Sequence, residues 1–160
     1  MKKSKIFAAF LTTACLFALT FTGCNFLQNS NDKSDIAESE TSTAKTYSSI
    51  EEYLKNPLTQ VTVSTIKNAV DETTTINVKA EDNKLVFEYT YADIYEKSAL
   101  SGMAYQLKTS YERNASVYTS LASSIEKEVD VENPLVVIRY LNGDKTVIYE
   151  GKFAPDADTE

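Results

Sequence analysis

Two stretches of this chain alternate apolar and polar residues with period two, and a long stretch of helical period separates them. In the first, Ile76, Val78 and Ala80 alternate with Asn77 and Lys79. Leu85, Phe87, Tyr89 and Tyr91 then alternate with Val86, Glu88 and Thr90. Alternation of this kind gives a strand one apolar face. Glu81-Asp82-Asn83-Lys84 lies between the two runs and supplies turn residues that tolerate positive φ, so a β-hairpin is expected here. The second stretch has a β-rich run over 135–141 and a partner over 146–153, with Asn142-Gly143 as the turn signal between them.

From 93 to 129 the period changes. Leu100, Met103, Leu107, Tyr111, Tyr118, Leu121, Ile125 and Val129 fall three or four apart, with one wider gap near Asn114-Ala115 and no proline. One long helix is expected, kinked or starting late near Ser98 to Gly102, because glycine costs a helix about 1 kcal/mol relative to alanine. Nearer the N-terminus, Ser48 and Glu51 have capping-box spacing ahead of an apolar stripe of Ile50, Tyr53 and Leu54. Asn56-Pro57 breaks that helix and starts another, with Leu58, Val61, Ile66, Ala69 and Val70 as its apolar face. The β-branched run Val61-Thr62-Val63 weakens this second helix. The expected fold is therefore α+β: two β-hairpins form a four-stranded antiparallel sheet, packed against one long helix and a shorter N-terminal helical segment. A single domain over 47–153 suffices for one core, and 154–160 reads as an acidic tail.

The N-terminus has a different character. Lys2, Lys3 and Lys5 precede an uncharged apolar stretch over 6–22, which Phe21-Thr22-Gly23-Cys24 closes. Positive charge, apolar run, small residue and then cysteine is the order of a secretion signal. The stretch resembles a bacterial lipoprotein signal, with Phe21 where an aliphatic residue is usual. That resemblance implies a signal peptide over 1–23, cut before Cys24, and Cys24 as the lipidation site. Cys15 fits the pattern less well, and a retained spanning helix competes with cleavage. Residues 25–46 are rich in Ser, Thr, Asn, Asp and Glu, too polar to offset the entropy of ordering. With Cys24 they read as a flexible tether (24–46), and a coil of this length reaches about 25 Å.

Composition excludes several chemistries. The chain has no histidine and two cysteines, at positions 15 and 24. Ser-His-Asp and Cys-His nucleophilic sites are excluded, as are zinc sites built on His or Cys. Loss of 1–23 removes three lysines and no acid, taking the formal charge from −7 to about −10. An acidic body disfavours nucleic acid as a partner, and disfavours the body lying on an anionic membrane. No cofactor motif and no glycine-rich phosphate loop occurs.

Three short runs carry a second resemblance: Ser48-Ser49-Ile50-Glu51-Glu52-Tyr53-Leu54, Asn83-Lys84-Leu85-Val86-Phe87-Glu88-Tyr89, and Val131-Glu132-Asn133-Pro134 ahead of Val137-Ile138-Arg139-Tyr140. They resemble a family of small uncharacterised lipoproteins of Gram-positive bacteria that carry a domain of unknown function. The resemblance implies a lipid-anchored location and an α+β fold, and no catalytic residue.

Candidate chemistry is sparse. Ten tyrosines and seven phenylalanines without tryptophan suggest a sugar site, yet most tyrosines fall on core-facing positions. Tyr53, Tyr95 and Tyr105 are the ones whose exposure matters. Glu126, Glu128, Asp130 and Glu132 crowd a helix end, where acid is disfavoured, and read as a solvated face. Arg139 is expected to face solvent and to pair with Glu150 across the second hairpin. The expected role is a non-enzymatic binding or interaction module held at the outer face of the cell membrane by lipid on Cys24. Its partner would be a protein or an envelope glycan, met on an outward sheet face of Val86, Val137 and Ile148. The competing role is an envelope glycan hydrolase with an Asp/Glu pair, which needs two carboxyls about 5–9.5 Å apart.

Overall fold

The computed structural model describes residues 45–156. Two short helices come first, α1 (Ile50–Lys55) and α2 (Pro57–Ala69). The hairpin β1 (Thr74–Glu81) and β2 (Lys84–Tyr91) follows, then α3 (Lys97–Arg113) and α4 (Ala115–Glu128), then the hairpin β3 (Leu135–Leu141) and β4 (Val147–Phe153). The expectations over 1–44 and 157–160, Cys24 and most of the tether among them, lie outside the described residues. Among the described residues, no helix is long and apolar enough to cross a membrane.

Both hairpins form, but the sheet is mixed and not purely antiparallel. Strand order is β1-β2-β3-β4, and β2 pairs with β3 in parallel from Lys84↔Leu135 to Thr90↔Leu141. Parallel neighbours need a long crossover, and the helical stretch between the hairpins supplies it. That stretch is also two helices, where one was expected. An unbroken helix over 97–128 would be about 48 Å long, nearly twice the length of an eight-residue strand. The break falls at Asn114, the wider gap in the apolar spacing (φ −113°, ψ 19°). Its side chain donates to the Ser110 carbonyl at 2.9 Å and its backbone N–H to Tyr111 at 3.1 Å, so the loose end of α3 is satisfied. The helix starts late, at Lys97 beside Ser98, as one of the two expectations had it, and α3 runs on through Gly102.

One face of the sheet holds the core. Leu85, Phe87, Tyr89 and Tyr91 of β2 and Val136, Ile138 and Tyr140 of β3 meet Leu107 and Tyr111 of α3, and Tyr118, Leu121 and Ile125 of α4. Ile50 and Tyr53 of α1 close the cluster. The long helical stripe thus faces inward as its spacing predicts. The stripe assigned to α2 does not. Val63 is buried and Ile66 packs on the core, whereas Leu58 and Val61 are 77% and 63% exposed. β-branching at 61–63 leaves α2 helical, since Asn56 Oδ1 accepts from Leu58 N–H at 2.8 Å and Pro57 takes the first position.

Caps and turns are close to expectation but shifted. The N-cap of α1 is Ser49, whose hydroxyl accepts from Glu52 N–H at 3.2 Å. Glu52, not Glu51, reaches back, and it accepts from the N–H and hydroxyl of Ser48 at 2.8 and 2.6 Å. Asp82 takes positive φ (55°) in the first hairpin turn. In the second, positive φ falls on Lys145 (70°) and not on Gly143. The loop is longer than a two-residue turn: Lys145 N–H donates to Asn142 O at 2.8 Å and Asn142 N–H to Thr146 O at 2.8 Å. Gly143 serves close approach, because a Cβ there would lie 2.8 Å from the Asp93 carbonyl oxygen.

Candidate functional site: the open face of the sheet

Side chains opposite the core come from Lys79 and Glu81 on β1, Lys84, Val86 and Glu88 on β2, Leu135, Val137 and Arg139 on β3, and Glu150 and Lys152 on β4. The pairing aligns Lys79, Val86, Val137 and Lys152 in one row, and Glu88, Arg139 and Glu150 in the next. Arg139 is the hub. Its Nε donates to Glu150 Oε2 at 2.8 Å, the cross-hairpin pair expected from sequence. Its two terminal nitrogens also hold Glu81 at 3.0 and 3.1 Å in a fork, and one of them meets Glu88 at 3.2 Å. Lys79 joins Glu81 and Glu88 at 3.0 and 2.9 Å, and Lys152 joins Glu150 at 3.2 Å.

The electrostatics follow from these contacts. Hydrogen bonds from Arg139 and Lys79 hold the Glu81 carboxyl at about 2. Burial pushes Glu88 up, but Lys79 and Arg139 outweigh it and leave it lowered. Arg139 lowers Glu150 in the same way. These are the carboxylates that the fold brings together, and each is stabilised as an anion. A glycosidic general acid needs the opposite environment, one that raises a carboxyl's pKa.

Val86 and Val137 do point to this face, as alternation predicts, but both are fully buried. The fork between Arg139 on β3 and Glu81 on β1 crosses β2 diagonally at Val86, so a charged side chain lies over that valine. Val137 lies between Val86 and Lys152 across the sheet and next to Arg139 along it. Ile148 is not on this face. Pairing shifts between Tyr140 and Leu141, whose partners are Tyr149 and Val147, and the extra residue, Ile148, joins the core. The three residues do not form an exposed apolar patch.

On the other face the tyrosines form a continuous array. Tyr89 and Tyr140 stack with centroids 4.6 Å apart, Tyr111 stacks on Tyr149 at 5.8 Å, and the Tyr111 and Tyr140 hydroxyls share a 2.9 Å hydrogen bond. Burial pushes Tyr89, Tyr111, Tyr118 and Tyr140 well above the ordinary tyrosine value. Of the tyrosines whose exposure matters, Tyr53 is buried and burial pushes it up to about 12, Tyr95 is half-buried, and Tyr105 is 71% exposed.

Glu126, Glu128, Asp130 and Glu132 are all exposed. Among the described residues no group of three or more His, Cys, Asp or Glu is placed to hold a metal ion. Asn142 is buried and its side chain is used structurally, against the backbone of Tyr95. Sequence reasoning missed two features: the reach of Arg139 to Glu81 and Glu88, which depends on the parallel pairing of β2 and β3, and the exposed uncharged face of α2. The second had a signal, since 57–66 contains no charged residue.

Comparison with curated proteins finds no match, and comparison with solved structures finds none either. A domain-family profile does match, and it covers residues 50–153, from the first residue of α1 to the last of β4. The chain belongs to the family described as a domain of unknown function, DUF4854.

Proposed function

We infer that this protein is a membrane-anchored extracytoplasmic lipoprotein whose folded domain is a binding module rather than an enzyme. The observation that carries this is Cys24, set directly after Gly23 at the end of an uncharged apolar stretch and followed by a polar segment. One acyl chain holds a protein only marginally, but two or three on Cys24 make attachment lasting, since each buried CH₂ contributes about 0.8 kcal/mol. The whole chain lacks histidine, and both of its cysteines precede the folded domain. The clustered carboxylates Glu81, Glu88 and Glu150 are neutralised by Arg139 and Lys79. These features favour recognition of an envelope protein or glycan over bond cleavage.

Labelling growing cells with a clickable fatty acid tests the anchor. The native chain takes label and sediments with membranes, and Cys24→Ala does neither. An unlabelled native chain would remove the basis for this location. Incubation with purified envelope glycan separates binding from hydrolysis: the glycan, if it is the ligand, is retained at unchanged chain length. Shortened chains would replace the binding module with a hydrolase.

A further inference from the structure

α2 is the one described helix with a large exposed apolar surface near the point where the chain enters the domain. Leu58 and Val61 stand 77% and 63% exposed. Thr65, also exposed, continues their stripe at helical spacing. Hydroxyls on this helix turn back onto its own carbonyls: Thr62 donates to Leu58 O, and Ser64 and Thr65 donate to Val61 O, at 2.8 to 3.2 Å. Polar side chains satisfied in this way do not require water. The helix has no acidic residue, and Lys67 is its sole charge, in a chain of formal charge −7.

Position supplies the occupant. The Tyr47 hydroxyl accepts from Asn56 Nδ2 at 2.6 Å, and Asn56 Oδ1 caps α2 at Leu58 N–H. The backbone leading from Cys24 thus joins the domain at the end of α4, and the Tyr47 side chain reaches from there to the first turn of α2. Tyr47 itself is pinned, with its N–H donating to Glu128 O at 2.9 Å and its carbonyl accepting from Asp130 N–H at 2.7 Å. Only residues 25–46 separate Cys24 from Tyr47, and a link this short holds the domain near the bilayer at an effective concentration on the order of millimolar, which lowers the affinity the contact must supply.

We propose that the exposed face of α2, built on Leu58, Val61 and Thr65, rests in the headgroup region of the bilayer that holds the Cys24 lipid, and so orients the domain on the membrane. This rests on Cys24 being acylated. The acidic excess of the chain disfavours an anionic surface, but α2 carries none of it, so the repulsion comes from neighbouring elements and is screened by salt. The ion lattice around Arg139 belongs to the open sheet face, built from strands alone, and takes no part in the seat.

The test uses the full acylated protein in phosphatidylethanolamine–phosphatidylglycerol vesicles containing nitroxide-labelled lipid. A fluorophore is placed on Thr65→Cys or, as a control at the second hairpin turn, on Asp144→Cys. Quenching severalfold stronger at 65 than at 144 is expected, falling to the control level in Leu58→Asp/Val61→Asp while the protein stays on the vesicles. Equal quenching at both sites in a protein whose intact mass shows acylation would overturn the orientation and leave the anchor standing. A mass without acyl chains would overturn both. Shielding at 65 that grows with protein concentration, without lipid quenching, would assign the face to a second copy and overturn the bilayer contact.

Discussion

The side-chain amide of Asn142 pairs with the backbone of Tyr95 in both directions: its Oδ1 accepts from Tyr95 N–H at 2.8 Å and its Nδ2 donates to Tyr95 O at 3.1 Å. A buried side chain here does the work of a strand neighbour. It ties the β3–β4 turn to the loop that leads into α3, and Gly143 N–H reinforces the tie through Asp93 O at 3.1 Å. Asn142→Ala strands two backbone groups, and an unmet buried group costs about 1–3 kcal/mol. A loss of at least about 2 kcal/mol is expected by urea unfolding with unchanged m-value. Asn142→Asp should do no better, because a carboxylate cannot donate to Tyr95 O. Wild-type stability in either variant would contradict a structural role for the pair.

The lattice around Arg139 predicts a dependence on acid. Glu81, Glu88 and Glu150 are all held below the ordinary carboxylate value of 4.5. Between that value and about 2, where Glu81 titrates when folded, the unfolded chain binds more protons than the folded one. The stability these groups contribute is complete above 4.5 and is lost as pH falls toward 2. Melting temperature should therefore drop across this window in wild type, and Arg139→Met should flatten the slope. An unchanged slope would mean that the ion pairs do not persist in solution.

The buried tyrosines predict the opposite limb. Burial raises Tyr89, Tyr111, Tyr118 and Tyr140 above the ordinary value of 10. Their contribution is intact below pH 10 and is lost as pH rises beyond it, because the unfolded chain releases those protons first. Spectrophotometric titration should show a class of tyrosines that ionises only with unfolding. Tyr111→Phe removes amplitude from that class.

Two glycines should respond with opposite sign. Gly102 lies inside α3, and a Cβ there meets nothing within 4 Å, so Gly102→Ala should stabilise the protein by about 0.5–1 kcal/mol. At Gly143 the same change places a Cβ 2.8 Å from the Asp93 carbonyl oxygen, and a clear loss of melting temperature is expected.

Period and turn chemistry made the elements legible. Both hairpins and the inward stripe from Leu100 to Val129 follow directly from spacing, and the break at Asn114 coincides with the one irregularity in that spacing. The relative direction of β2 and β3 was not legible, because alternation is the same whether two strands run parallel or antiparallel. The open face was misjudged for a related reason. Outward direction was correct for Val86 and Val137, but burial depended on a long side chain reaching from β3 to β1. At Ile148 a single extra residue reversed the phase. On α2, Leu58 and Val61 looked like core because apolar spacing alone does not show which stripe a helix buries.

The parallel seam between β2 and β3 joins strands that lie some forty residues apart in the chain. Each hairpin closes locally, but the seam waits until both helices have been made and folded back. During synthesis the β2 edge stays uncovered until Leu141 has emerged, so a nascent chain cut short in α4 is left with an open edge in place of a finished sheet.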